Sequence, residues 1–430
     1  MTIELSTITF TEQADIVPLS GMDEITNDYD DDGITNTLAG DDIITGTFTG
    51  IQTDSGIRNS GWLNTGEGND LITGITPIDR AYFGYGILNS GIIDTWNGND
   101  TIIGTGGGTG IFIPSGTINT GSGNDIITAT GYFGLSTGDK SFLNTGEGDD
   151  VITAISINDG GYGIAIDGSL DTGSGNDIII GTGTNNTVGI SLGRDSNTGD
   201  GNDTITGSGR AIGVGFGTIF NAGNGEDSII SHGRLYNSGK LFLGDGNDSI
   251  IVDTIVEAEN LRNHAIYNFN GSFIGTGDGN DTITSTGVIY NEGVIETGNG
   301  NDSIIVDRRV NGTNEGYSIY NNGGTINMGN GNDSIIANDG FESGYYGSSV
   351  FLGNGKDYLK GFGSGEFSGG NGNDTLELTS GTYTIGIWYT TVTFTKGSSF
   401  MIASEFEKLI AGSTTYDFTS LTKGQTITVA

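Results

Sequence analysis

"NTGSGNDIITATG", residues 119–131, returns with few changes as "NTGEGDDVITAIS" from Asn144 and "NTGDGNDTITGSG" from Asn197. Aligning on the aspartate yields fourteen copies: Asp42, Asp70, Asp100, Asp125, Asp150, Asp177, Asp203, Asp227, Asp248, Asp281, Asp302, Asp333, Asp357 and Asp374. They lie 17 to 33 residues apart, with a mean near 25, a period typical of solenoids. Gly stands two residues before every one of them, from Gly40 to Gly372. Gly also stands four before in twelve copies, with Leu38 and Trp96 as the exceptions. Two residues after the aspartate comes Ile in twelve copies, and Leu359 and Leu376 in the others. One face of a strand is therefore apolar in every copy, and stacked copies place Ile on Ile.

A second column lies upstream. In "GTINTG", Ile118 and Thr120 share one side of a strand and Asn119 points the other way, because side chains alternate along a strand. The Thr site becomes Ala222, Leu243, Met328 and Leu352 in other copies, so it reads as inward. A third strand appears in "GILNSG" (86–91), "AIYNFNG" (265–271), "VIYNEG" (288–293) and "SIYNNG" (318–323), where Asn89, Asn268, Asn291 and Asn321 mark a bend. Gly and β-branched residues fill the chain and leave little for helices.

Three short strands per period, at about 3.3 Å per residue, suit one turn of a three-sided parallel β-helix. The expected fold is all-β: a right-handed parallel β-solenoid of about fourteen coils, since parallel crossovers favour that hand. One coil cannot bury its own Ile and Leu, so stability must come from its neighbours. The ends differ, as caps do. Residues 1–35 are acidic and off-pattern, 36–378 hold the repeats, and 379–430 carry long alternating runs such as "IWYTTVTF" (387–394). That tail reads as a β-rich C-terminal cap. Within it, "ASEFEKLIAG" (403–412) fits a short helix or a strand equally well.

Composition narrows the function. Fifteen Lys and Arg face 53 Asp and Glu, for a net charge of −38. Nucleic acid is thereby excluded as a partner, because phosphate binding needs basic clusters. The chain has no Cys, so disulfides, thiol catalysis and thiolate metal sites are absent. No run of 18 apolar residues occurs, so no membrane span is expected. "MTIELSTITFTEQAD" does not read as a secretory signal peptide.

In a solenoid the aspartates would form a ladder along one edge, with carboxylates about 5 Å apart. At an effective dielectric of about 20, that spacing costs roughly 3 kcal/mol of repulsion per pair before screening. Something must neutralise the column. Calcium fits best, because it takes six to eight oxygens in flexible geometry, carboxylates and main-chain carbonyls included. The paired glycines let carbonyls turn toward an ion. The competing reading is that each Asp hydrogen-bonds within its own turn.

"GGNGNDTLEL" (369–378) resembles the haemolysin-type, or RTX, calcium-binding nonapeptide G-G-x-G-x-D-x-U-x. "TGSGNDIIT" and "LGDGNDSII" match from the second Gly onward. The resemblance runs over about residues 36 to 378. It implies repeated Ca2+ sites at the fourteen aspartates with loop carbonyls, and export through type I machinery with an uncleaved C-terminal signal. The chain departs from the pattern in two ways. The first Gly survives only at Gly369, and one motif occurs per coil rather than in tandem, which favours a three-sided coil with one calcium edge. The copies with Lys356, Glu226 or Leu38–Ala39 beside the motif are expected to bind weakly.

Three functions fit. The first is a secreted or cell-surface calcium-binding protein with a structural or adhesive role and no enzymatic activity, its partners being calcium and possible surface polysaccharide or surface proteins. The second is a polysaccharide-modifying enzyme of the lyase or epimerase kind. Its base would come from few candidates, His232, or His264 with Tyr267 in the off-period stretch 260–270; 307–317 is a second such insertion. The third is an ice- or surface-binding solenoid. The inward Thr column argues against it, while the Asn before the Asp offers an outward ladder.

Overall fold

One coil shows the plan. Thr117–Asn119 runs into the glycine turn, Ile126–Gly131 leaves it after Asp125, and Phe133–Thr137 forms the third side. Each strand pairs in parallel with its counterpart one coil on: Ile118 with Leu143, Ile127 with Ile152, Leu135 with Ile164. The structure, a computed structural model, describes residues 2–17, 24–27, 34–49, 54–79, 84–184, 187–254, 264–308, 316–344 and 347–430. The chain divides into two compact units, Met1–Gly223 and Asn224–Ala430. Both follow the same plan. In the second, Ile274 pairs with Ile295, Ile283 with Ile304 and Ile266 with Ile289. The expected three-sided parallel β-solenoid is what the chain forms.

The inner columns supply the core. Ile72, Ile102, Ile127 and Ile152 are buried one above another, as are Leu63, Ile93, Ile118 and Leu143, and Ile87, Ile111, Leu135 and Ile164. Each such side chain contributes about 1.5–3 kcal/mol by leaving water. The Thr column is inward, as its Leu and Met replacements foretold. Thr120 donates its hydroxyl to the Thr145 carbonyl at 3.0 Å, and Thr145 to the Thr172 carbonyl at 3.1 Å.

The asparagines at the bend are buried, and they stack. Asn27 Nδ2 donates to Asn59 Oδ1 and Asn59 Nδ2 to Asn89 Oδ1, both at 2.7 Å. Asn268 repeats the link to Asn291 at 2.8 Å and sends a second bond to the Val294 carbonyl at 2.9 Å. A buried amide needs both donors used, and this ladder uses them.

Within residues 1–35, Thr2–Glu4 already pairs in parallel with Glu24–Asn27, and Ile16–Val17 with Ile43–Thr47. The acidic run 28–33 lies outside the described residues. At the other end the pairing turns antiparallel. Gly381–Trp388 pairs with Thr391–Lys396 and with Thr426–Val429. These hairpins form the expected β-rich cap over an otherwise open edge. The ambiguous stretch 403–412 is strand: Ser399–Ser404 and Lys408–Ala411 extend the parallel sheets by one more row.

Candidate metal centre

Within each unit the aspartates stand in register, and each of the fourteen is at most 2% exposed. Within a unit the carboxylates reach back to the preceding coil. The Asp100 N–H donates to Asp125 Oδ1, and the Asp125 N–H to Asp150 Oδ1, both at 2.8 Å. The same link joins Asp42 to Asp70, Asp70 to Asp100, Asp150 to Asp177 and Asp177 to Asp203 in the first unit. In the second it runs from Asp227 through Asp248, Asp281, Asp302, Asp333 and Asp357 to Asp374. The Asp357 copy, beside Lys356, keeps this geometry. The carboxylates therefore staple neighbouring coils rather than closing their own turns.

Oδ1 is used, but Oδ2 is left over. In twelve of the aspartates, Asp125 and Asp374 among them, Oδ2 is buried with no hydrogen-bond donor. A threonine hydroxyl lies beside the carboxyl, as Thr95 does at Asp100. It has one proton, however, and directs it at the Thr120 carbonyl 3.0 Å away. A buried acceptor without a donor costs about 1–3 kcal/mol, more if charged. Burial is accordingly the main cause that pushes these carboxyls up, to about 7 at Asp100, Asp177, Asp248 and Asp333. At Asp70, Asp125, Asp281 and Asp357 it reaches about 6. Backbone hydrogen bonds oppose the shift, and neighbouring carboxylates add a smaller upward push. Loss of water outweighs the repulsion between rungs expected for an edge ladder, because the ladder is enclosed.

The glycine turns supply the other oxygens. Gly123 (φ +127°) and Gly148 (φ +131°) occupy the left-handed region. A Cβ on Gly123 would overlap the Gly98 carbonyl oxygen, and one on Gly148 that of Gly123. Among the described residues no hydrogen bond reaches the carbonyls of Gly98, Gly123 or Gly148. At Gly372 the space where a Cβ would sit is bordered by the Gly355 carbonyl and, at 3.0 Å, by Asp374 Oδ1. Leu38 (φ +80°) and Trp96 (φ +65°) hold the same turn without being glycine. Outside the ladder, the exposed asparagines tie turns in the opposite sense, the Asn99 N–H donating to Asn69 Oδ1 at 2.8 Å and the Asn124 N–H to Asn99 Oδ1 at 2.7 Å.

The donor set is all oxygen: a carboxylate at every rung, and main-chain carbonyls that take no hydrogen bond at Gly98, Gly123 and Gly148. That chemistry suits a hard divalent cation such as calcium. Among the described residues no three acidic or histidine side chains converge as a ready-made metal cluster. A cation here would depend on the carbonyls.

Two rungs were missed in the sequence. The Asp15 N–H donates to Asp42 Oδ1 at 2.7 Å, one coil before the first copy. Glu407 Oε2 accepts the Asp374 N–H at 2.6 Å, one coil after the last. Both carry the downstream signal, a buried apolar residue two positions later, Val17 and Leu409. Neither has the glycines.

The histidines do not share a site. His232 Nδ1 lies 2.8 Å from Asp253 on the surface. His264 opens the strand His264–Asn268 and is buried, its ring 4.8 Å from Tyr267 and 5.0 Å from Tyr290. The stretch from His264 onward is thus sheet rather than a looped-out insertion; residues 255–263 and 309–315 lie outside those described. No helix among the described residues is long and apolar enough to cross a membrane.

No protein-family model and no curated protein matches the chain. Among solved structures it is similar to the crystal structure of a hyperactive, Ca2+-dependent, β-helical antifreeze protein from an Antarctic bacterium, with 17% identity, 96% of each chain covered and a TM-score of 0.38.

Proposed function

We propose that this chain is a calcium-stapled β-solenoid that works outside the cell as a structural or adhesive repeat protein, without enzymatic activity. The observation that carries this reading is the column of enclosed carboxylates whose second oxygen has no donor, set beside turns with free carbonyls. Calcium between coils would give that oxygen a partner and hold the carboxylate ionised, with the fourteen aspartates and the glycine carbonyls as ligands. Binding to the folded form alone stabilises it by mass action, about 2.7 kcal/mol per site at a hundredfold excess over Kd. The test is thermal melting of the full chain in calcium and in chelator. A melting temperature many degrees higher in calcium is expected; an unchanged one removes the metal ladder.

A second reading, docking on an ordered uncharged surface such as ice, is favoured by a different face. In the first unit the positions one, three and five after the aspartate point outward. They read Ile126, Thr128, Thr130 in one coil, Val151, Thr153, Ile155 in the next and Ile178, Ile180, Thr182 after that. Across the seven coils from Asp42 to Asp203 all 21 such residues are Thr, Ile, Val, Leu or Ser, so this face is free of charge there in a chain of net −38. Neighbours repeat about every 4.8 Å across strands and 6.6 Å along them. Protein interfaces draw on Tyr, Trp and Arg, which the face lacks. The inward Thr column does not bear on this face. Thermal hysteresis measured on the calcium-loaded chain, reduced severalfold by Thr153→Tyr, is expected; no hysteresis in the unmodified chain removes this reading.

A further inference from the structure

The last rung differs from the others. Asp374 is fully buried, and its Oδ2 has no donor. In nine coils the residue five before the aspartate is a Thr whose side chain fills the space beside the carboxyl; here it is Gly369. A Cβ on Gly369 would lie 3.0 Å from Asp374 Oδ2 and would overlap the main-chain carbonyl oxygen of Glu405. The free carboxylate oxygen and that carbonyl therefore face the same small space.

Glu405 and Glu407 come from the C-terminal cap. Glu407 stands one coil beyond Asp374 in register, since Leu376 pairs with Leu409. Its Oε2 takes the Asp374 N–H at 2.6 Å, as each aspartate does for the rung before it. Glu405 holds the left-handed conformation (φ +59°) at a place where the repeats use Gly. Its carboxylate accepts a hydrogen bond from the Ser368 hydroxyl. Here the long glycine turn is replaced by the short "SEFE" (404–407), so the row loses turn carbonyls and gains carboxylates. Both glutamates are exposed, which leaves this end open to ions.

We propose that the C-terminal cap closes the ladder through a terminal divalent-cation site made by Asp374 Oδ2, the Glu405 carbonyl and the Glu407 carboxylate, and that its occupancy holds strand Lys408–Ala411 on the last coil. The choice of calcium rests on the ladder reading above. With two carboxylates in place of one, this site binds calcium more tightly than the inner rungs, because affinity rises with ligand charge.

The test uses the full chain and two variants. Glu407→Gln keeps an oxygen for the Asp374 N–H and removes only the charge. Gly369→Thr restores the side chain that most coils carry there and fills the space. Calcium titration by calorimetry gives the number and affinity of sites; hydrogen exchange over residues 399–411, with and without calcium, reports the cap. Either variant is expected to bind one calcium fewer, with the tightest step weakened at least tenfold. Calcium-dependent protection of 399–411 should be lost, while the calcium response of the remaining coils persists. Unchanged stoichiometry and affinity in both variants, or exchange at 399–411 indifferent to calcium in the unmodified chain, overturns the proposal. An unmodified chain that binds no calcium at all overturns the ladder reading and this site together, an outcome distinct from the first.

Discussion

Asp125 shows at the residue scale how one side chain can be both staple and liability. Its Oδ1 closes a hydrogen bond to the coil before it, and its Oδ2 is enclosed with no donor. Asparagine would keep the first role and drop the charge. Burial pushes the Asp125 carboxyl up to about 6, roughly two pKa units above an ordinary Asp, and each unit is worth about 1.4 kcal/mol. In chelator at pH 8, Asp125→Asn is therefore expected to raise stability by about 1–3 kcal/mol. In calcium the sign reverses, because the variant loses a ligand charge. Denaturant melts of both proteins in both buffers check this; a variant that is destabilised equally in each would show a purely structural aspartate.

At the scale of the element, the turn depends on space as much as on conformation. Gly123 and Gly217 both have positive φ, +127° and +77°. A Cβ on Gly123 would overlap the Gly98 carbonyl oxygen, whereas one on Gly217 would meet nothing within 4 Å. Gly217→Ala should cost only the backbone term of about 1–2 kcal/mol. Gly123→Ala must also push two coils apart at the carbonyl column, so it should cost at least about 2 kcal/mol more than that, with the clash added to the backbone term. It should also lower calcium affinity, which Gly217→Ala should leave alone. Chemical denaturation and calcium titration of the pair measure the difference.

For the whole molecule the ladder sets an unusual pH dependence. The folded-state carboxyls lie above their unfolded values, so the folded chain binds protons more tightly. Metal-free stability is then fullest below about pH 4, the unfolded range, and is lost as pH rises toward 6–7, where Asp70, Asp100 and Asp177 ionise in the fold. Melting in metal-free buffer should therefore give a higher temperature at pH 5 than at pH 8. Calcium should remove that slope or invert it, since protons and cation compete for the same oxygens. A metal-free melting temperature that falls from pH 8 to pH 5 would contradict an enclosed, proton-hungry ladder. Because coils are stabilised mainly by their neighbours, the effect should be spread along each unit rather than confined to one rung.

The coil period, the inward Ile and Thr columns, the alternation that assigns each side and the glycine turns were all legible in the chain. They depend on spacing alone, and a strand's two-residue period sorts side chains between faces without further information. The direction of the carboxylates was not legible. Whether Asp125 Oδ1 meets its own turn or the Asp100 N–H depends on atoms 25 residues away and on how closely two coils approach. The burial that pushes the carboxyls up, the stacked Asn59 and Asn89 amides and the enlistment of Asp15 and Glu407 without glycines follow from that same approach. Sequence alone determined which residues recur on one line; only the tertiary structure decided which of their oxygens are left without a partner.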